Sequence, residues 1–218
     1  MSDNTPSSIL YSMRDCPFCM RARLAIASSG MQVELREVAL PDKPDALLEA
    51  SPKGTIPVIV TPEGRVIDES FDIMYWALEQ DDPLGYLFPG TSDADMATLI
   101  KESADHFVPA MLRLKVPHKF DDVDAQDWQG QAESFLVKLE KRLEHQRYLT
   151  GTRVSLADIS IVPFVVLLDE KQPHLRDKLK LDKLSHWIES FKLSDLYRRV
   201  MADYPTWHPG AEPQRFPL

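Results

Sequence analysis

The spacing of apolar residues changes once along the chain, near residue 80. Before that point short alternating runs trade places with helical ones. Ile9-Leu10-Tyr11 reads as a strand after a polar start. Pro17 fits the first position of a helix and Gly30 its stop. Within that helix two apolar faces compete, Met20, Leu24 and Ala27 or Ala22, Ala25 and Ile26. Val33 to Val38 alternates apolar and charged residues, as a half-exposed strand does. A short helix follows near Pro44 to Ala50, then a buried strand, Val58-Ile59-Val60. Pro62-Glu63-Gly64 turns the chain into Val66-Ile67. Ser70 reads as the N-cap of a helix to about Glu79. Residues 1–80 thus form an α/β domain of order βαβαββα.

Residues 81–91 are rich in Asp, Pro and Gly and read as a linker. Residues 92–218 then read as an all-helical domain. Met96, Leu99, Ile100, Phe107, Met111 and Leu112 form one stripe, with Pro109 expected to kink it. Trp128, Ala132, Phe135, Leu136, Leu139 and Leu143 form a second. Ser155 and Asp158 have capping-box spacing before a helix that is apolar all round, hence buried. Trp187, Ile188 and Phe191 mark another helix, and Leu196 to Met201 a last one. From Tyr204 onward Pro and aromatics dominate, and Trp207-His208 reads as packing or surface.

Composition narrows the functions. The 218 residues, 44% hydrophobic, suffice for one large domain or two small ones. The formal net charge is -9, and no stretch is dense in Lys or Arg. That argues against nucleic acid and against anionic membrane surfaces. The acidity is uneven: residues 1–85 carry 7 basic and 14 acidic groups, the remainder 18 and 20. The eight glycines match neither GxGxxG nor a phosphate-binding loop. The polar start has no signal-peptide core, and the apolar run from Ile159 to Leu168 is too short to span a bilayer. A cytoplasmic protein is expected.

The chemistry concentrates in Cys16-Pro17-Phe18-Cys19, placed between a strand and a helix. A thiol at a helix N-terminus faces free N–H groups and the positive end of the helix dipole. Both favour thiolate, and they move Cys16 from about 8.5 toward about 7. Cys19 lies one turn further in, so Cys16 is the nucleophile and Cys19 at most a resolving thiol. A zinc site would need a second ligand pair that does not follow, so no metal is expected. Two inert buried cysteines are the remaining alternative. Thr55-Ile56-Pro57-Val58 enters a buried strand, and a cis bond at Pro57 would turn the Ile56 backbone toward a ligand beside the thiol. Glu69-Ser70 is either a plain helix start or a pair that holds an ammonium group and a carboxylate.

With CPFC, TIP and an acidic-Ser pair in a βαβαββα domain before an all-helical one, the chain resembles the cytosolic glutathione S-transferase superfamily. The similarity is greatest to its cysteine-type, omega-like members and their bacterial relatives, with two-domain glutaredoxins as neighbours. Cys16-Pro17-Phe18, Arg21, Arg23 and Leu24 carry the likeness, as do the separations of 27 residues from Cys16 to Lys43, 13 to Ile56 and 13 more to Glu69. The resemblance implies a thioredoxin-like first domain that binds glutathione as co-substrate, through Phe18, Lys43, Ile56, Pro57, Glu69 and Ser70. Lys43 would pair with the glycyl carboxylate, Ile56 with the cysteinyl backbone, and Glu69 and Ser70 with the γ-glutamyl end. Cys16 would form a mixed disulfide with glutathione. The family's co-substrate pocket, for a small electrophile or disulfide, would involve His106, Phe107 and Met111, although core packing is the default reading of these residues. A homodimer is also implied. Omega-like members usually lack a cysteine at the position of Cys19, so its role stays open. The expected activity is thiol transfer or a related reduction such as that of dehydroascorbate. Two alternatives stand beside it: conjugation assisted by the hydroxyl of Tyr11 or Ser12, and a binding or polymerase-associated protein on the same scaffold.

Overall fold

The computed structural model describes residues 7–40, 42–87, 93–116, 120 and 125–218. The expected linker lies outside the described residues from position 88 onward, as does most of the polar start. The chain divides into two compact units, residues 1–84 with 194–218, and residues 85–193.

The first unit carries the expected order β1(Ile9–Ser12) α1(Pro17–Ser28) β2(Val33–Glu37) α2(Asp45–Ala50) β3(Val58–Val60) β4(Val66–Ile67) α3(Ser70–Gln80). Its sheet is mixed, in the order β4-β3-β1-β2-β5. β1 runs parallel to β2, with Ser12 opposite Glu37, and antiparallel to β3, with Tyr11 opposite Val58. Gly64, at φ +81°, closes the β3–β4 turn in a backbone region that only glycine enters freely. The two competing faces of α1 are both covered: Met20, Leu24, Ala27, Ala22, Ala25 and Ile26 are all buried. The helix packs against α3 and against the last helix of the chain.

The last segment corrects the expected boundaries. Residues 92–218 do not form one helical domain: Ser194 onward returns to the first unit. There α10(Asp195–Val200) packs on α1, and β5(Gln214–Phe216) adds to the free edge of β2, with Phe216 opposite Val33. Three residues flanked by Pro213 and Pro217 are too short to alternate, so no strand signal exists in them.

The second unit is helical: α4(Asp93–Glu102), α5(Val108–Lys115), α6(Ala125–Leu143), α7(Leu156–Lys171), α8(Leu175–Leu179) and α9(Asp182–Lys192). The kink expected at Pro109 is a π-helical turn, Ser103–Phe107, joining α4 to α5. Pro109 has no N–H to give the preceding turn, and the Val108 amide reaches back five residues to the Ser103 carbonyl. α7 is buried from Leu156 through Val166 and forms the centre of the unit. Ser155 and Asp158 make the expected capping box at its start. Among the described residues no helix is long and apolar enough to cross a membrane.

Candidate active site

β1 ends at Ser12, and a turn closed by the Cys16 amide on the Met13 carbonyl (3.2 Å) carries the chain into α1. Cys16 is the N-cap, in extended conformation (φ -94°, ψ 119°), and its carbonyl accepts the first helical bond from Met20 at 2.8 Å. Pro17 occupies the first turn, as the sequence leads one to expect. No acidic side chain stands in that turn and no side chain caps it. The positive end of the helix dipole is therefore left to act on the Cys16 sulfur. Cys16 is half-buried and Cys19 fully buried, and neither is in a disulfide. Burial pushes the Cys19 thiol well above its ordinary value, and the hydrogen bond and charge of Cys16 push the same way.

Behind the thiol, α1 and α3 are joined by a contact that the motif reading did not assign. Arg21 donates Nε and Nη2 to the Ser70 hydroxyl, at 2.9 and 2.7 Å. Its guanidinium lies over the rings of Phe18 (5.4 Å) and Phe71 (5.7 Å). Burial lowers the Arg21 pKa to about 10, while the negative charges of Glu69 and Cys16 oppose that fall. Four of the expected residues, Cys16, Phe18, Glu69 and Ser70, therefore act on one half-buried cation. The signal in the sequence was Arg21 itself, one helical turn beyond Pro17 and on the same face. Ser70 is not the N-cap; Glu69 holds that place and Ser70 begins α3. With its oxygen accepting two guanidinium N–H groups, the Ser70 hydroxyl has its own proton left to donate.

The Ile56–Pro57 bond is cis. Antiparallel register puts Pro57 beside Ser12, one residue past the Tyr11–Val58 pair, at the end of β1 that leads to Cys16. Lys43 is exposed and lies across Gly54, two residues before Ile56. A Cβ at Gly54 would meet Leu48 Cδ2 at 2.9 Å and Lys43 Nζ at 3.4 Å, and φ there is +57°. Glycine is thus required where Lys43 passes. Lys53, absent from the sequence reading, pairs with Glu69 at 2.6 Å and with Asp68 at 3.2 Å. Its pKa is raised by those hydrogen bonds. A second cation therefore already stands against Glu69, where a ligand ammonium was expected.

The two hydroxyls considered as alternatives are both buried. Tyr11 is buried in a cluster with Val38, Leu47 and Val58, and its oxygen accepts from Arg36 at 2.7 Å. Ser12 is fully buried and accepts from Arg23 at 2.7 Å. In the second unit His106 is exposed on the π turn. Phe107 is fully buried and stacks on Phe135 at 4.7 Å, so it packs the helical core. Met111 is buried beside it and lines a cavity of about 200 Å³ with Leu114, Lys115 and Leu168. No group of three or more His, Cys, Asp or Glu side chains able to hold a metal occurs among the described residues. Trp207 covers the Arg36 guanidinium at 4.4 Å, and His208 is exposed.

Two models of one protein family match this chain. Residues 10–85 match the glutathione S-transferase N-terminal domain and residues 116–190 the C-terminal domain of the same family. The chain belongs to the glutathione S-transferase family. It is 27% identical over 172 residues to the Oryza sativa subsp. japonica protein named probable glutathione S-transferase DHAR2, chloroplastic, covering 79% of this chain and 59% of that one. It is 28% identical over 163 residues to the Mus musculus glutathione S-transferase omega-1, covering 73% and 66%. The chain thus spans less than two thirds of either relative. A Pseudomonas fluorescens family member, solved with two glutathione bound, shares the fold with a TM-score of 0.78 at 17% identity, over 92% of this chain and 94% of that one.

Proposed function

We propose that the protein is a glutathione-dependent thioltransferase in which Cys16 is the nucleophile. One observation carries this reading: Cys16 stands at the N-cap position of α1, whose first turn holds no acid, with a buried thiol one turn behind it and the Arg21–Ser70 contact at its side. In the first step Cys16 thiolate attacks the glutathione sulfur of a mixed disulfide, forming a Cys16–glutathione disulfide and expelling the substrate thiolate. Glutathione thiolate then attacks the glutathione sulfur of that disulfide, yielding glutathione disulfide and restoring Cys16. Lys43 takes the glycyl carboxylate. The Ile56 backbone pairs with the cysteinyl unit, with Pro57 holding the turn and Phe18 beside the thiol. Glu69 takes the γ-glutamyl ammonium, displacing Lys53, and Ser70 donates to its carboxylate. In reduction of dehydroascorbate, Cys16 thiolate adds to a carbonyl to form a thiohemiketal; glutathione thiolate attacks the Cys16 sulfur, expelling ascorbate and leaving the Cys16–glutathione disulfide, which a second glutathione reduces as above.

The burial of the Tyr11 and Ser12 hydroxyls weighs against conjugation assisted by a hydroxyl. Two cysteines outside any disulfide and a glutathione cycle fit a reducing compartment such as the cytoplasm. The proposal includes a homodimer, which sedimentation tests against the 24.9 kDa of one chain. The deciding experiment is reduction of hydroxyethyl disulfide by glutathione. Cys16→Ser should lower its rate by at least about a thousandfold. Retained thiol transfer in that variant would overturn the assignment, and retention of both forms on immobilised glutathione without turnover would favour a binding protein instead.

A further inference from the structure

The end of the chain is tied to the turn that presents Cys16, through a carboxylate that the proposed chemistry does not use. Glu37 closes β2 directly beside Ser12, the last residue of β1. Its two oxygens serve different elements. Oε1 accepts the Arg14 amide at 2.6 Å, inside the turn from Ser12 to Cys16. Oε2 pairs with the guanidinium of Arg23, one turn past Cys19 on α1. Arg23 is fully buried. Its remaining bonds reach Ser12 Oγ at 2.7 Å and the Val200 carbonyl at 3.4 Å, and its guanidinium faces the Phe216 ring at 5.6 Å. The Glu37 carbonyl accepts the Trp207 amide at 2.8 Å. Arg14 in turn pairs through its side chain with Asp203.

Every group that faces the Glu37 carboxylate in these bonds is a donor, and one of them is a buried cation. A neutral amide in its place would offer one acceptor where two are needed. A buried guanidinium with a partner removed is among the costlier defects a fold can carry. The same carboxylate thus sets both the turn before Cys16 and the helix after it, so the angle at which the sulfur meets the helix N-terminus depends on it. Val200, Asp203, Trp207 and Phe216 close the arrangement from the chain's end.

We propose that Glu37 is a positioning residue for Cys16, acting through the Arg14 amide and Arg23, and that residues 200–216 are the strap that holds this carboxylate in place. The inference rests on Cys16 being the reactive thiol. It is tested by the rate at which iodoacetamide alkylates Cys16 in the full chain at pH 7.5, followed by mass spectrometry, together with glutathione KM and kcat. Glu37→Gln should slow alkylation about fivefold, the loss expected for one hydrogen bond. It should lower kcat in step and leave the glutathione KM within twofold, because the carboxylate holds no part of the ligand. Asp203→Asn, at an exposed pair that folding does not require, should slow alkylation about twofold. Should Glu37→Gln fail to fold by circular dichroism, Asp203→Asn decides alone. An unaltered chain whose Cys16 reacts no faster than a free thiol refutes the nucleophile itself. A fast unaltered chain with an unchanged rate in the folded variants refutes the strap only. A raised KM with unchanged alkylation also overturns it, since Glu37 would then act in binding.

Discussion

The start of α7 is closed by the chain's own groups, whereas the start of α1 is left open. At α7, Asp158 accepts the amide and hydroxyl of Ser155, at 3.0 and 2.8 Å. The same carboxylate accepts the Leu149 amide at 2.9 Å and the Trp187 indole at 3.2 Å. Burial pushes this carboxyl up, and the four donors oppose that shift. At α1 the N-cap is a thiol, the first turn holds no acid, and no side chain caps it. Both helices are buried along most of their length. The difference lies only in what meets the first turn. A helix start whose donors are satisfied fixes an architecture, whereas one left to a half-buried sulfur can stabilise a charge that forms during reaction.

The largest break in this comparison should come at the closed end. Asp158→Ala leaves an indole, two amides and a hydroxyl without their acceptor. Unsatisfied buried donors cost about 1–3 kcal/mol each before relaxation. A net loss of about 3 kcal/mol in urea unfolding is expected, with Cys16 alkylation unchanged in the folded fraction. A loss below about 1 kcal/mol would show that the cap does not hold α7.

At the open end, removing the surrounding charges should cost binding rather than stability. Glu69→Ala and Lys43→Ala should each raise the glutathione KM about five- to tenfold and lower kcat less, as loss of uniform binding does. Arg21→Ala should add to this through Ser70, whose hydroxyl it orients. Unchanged KM in both the Glu69 and Lys43 variants would remove them from the site.

These contrasts were unevenly legible in the sequence. The βαβαββα order was readable because alternation, proline and glycine all pointed the same way in each element. The capping box of α7 was readable from Ser155 and Asp158 alone, since a closed helix end is a local feature. The faces of α1 were not decided, because a helix covered on both sides shows no single stripe. Arg21 and Arg23 stood in the motif without roles, since their partners Ser70, Glu37 and Val200 lie 14 to 177 residues away. The return of the chain's end escaped for the same reason: an edge strand of three residues is specified by its neighbour and not by its own pattern.

The smallest expected effect sharpens the comparison within α1 itself, between the sulfur at its cap and the one a turn inside. Cys19→Ser should keep activity on small mixed disulfides, where a second glutathione releases Cys16. It should lose activity mainly on dithiol substrates, where an internal thiol resolves the intermediate. The structure places that thiol in full burial, and burial holds its pKa well above the ordinary thiol range. Cys19 is therefore a slow resolver at neutral pH, and the loss should be modest. The same shift has a thermodynamic signature. Above about 8.5 the unfolded chain gives up the Cys19 proton, whereas the folded chain retains it. The native state then binds more protons than the unfolded state, so stability falls as pH rises beyond that point. In the Cys16→Ser background, unfolding free energy should decline between pH 8.5 and the raised pKa, and Cys19→Ser should remove that slope. Iodoacetamide gives the parallel test: in Cys16→Ser, Cys19 should stay unreactive through the pH range in which a free thiol titrates. Rapid alkylation there would mean that the buried sulfur is as open as its neighbour, and the contrast between them would be lost.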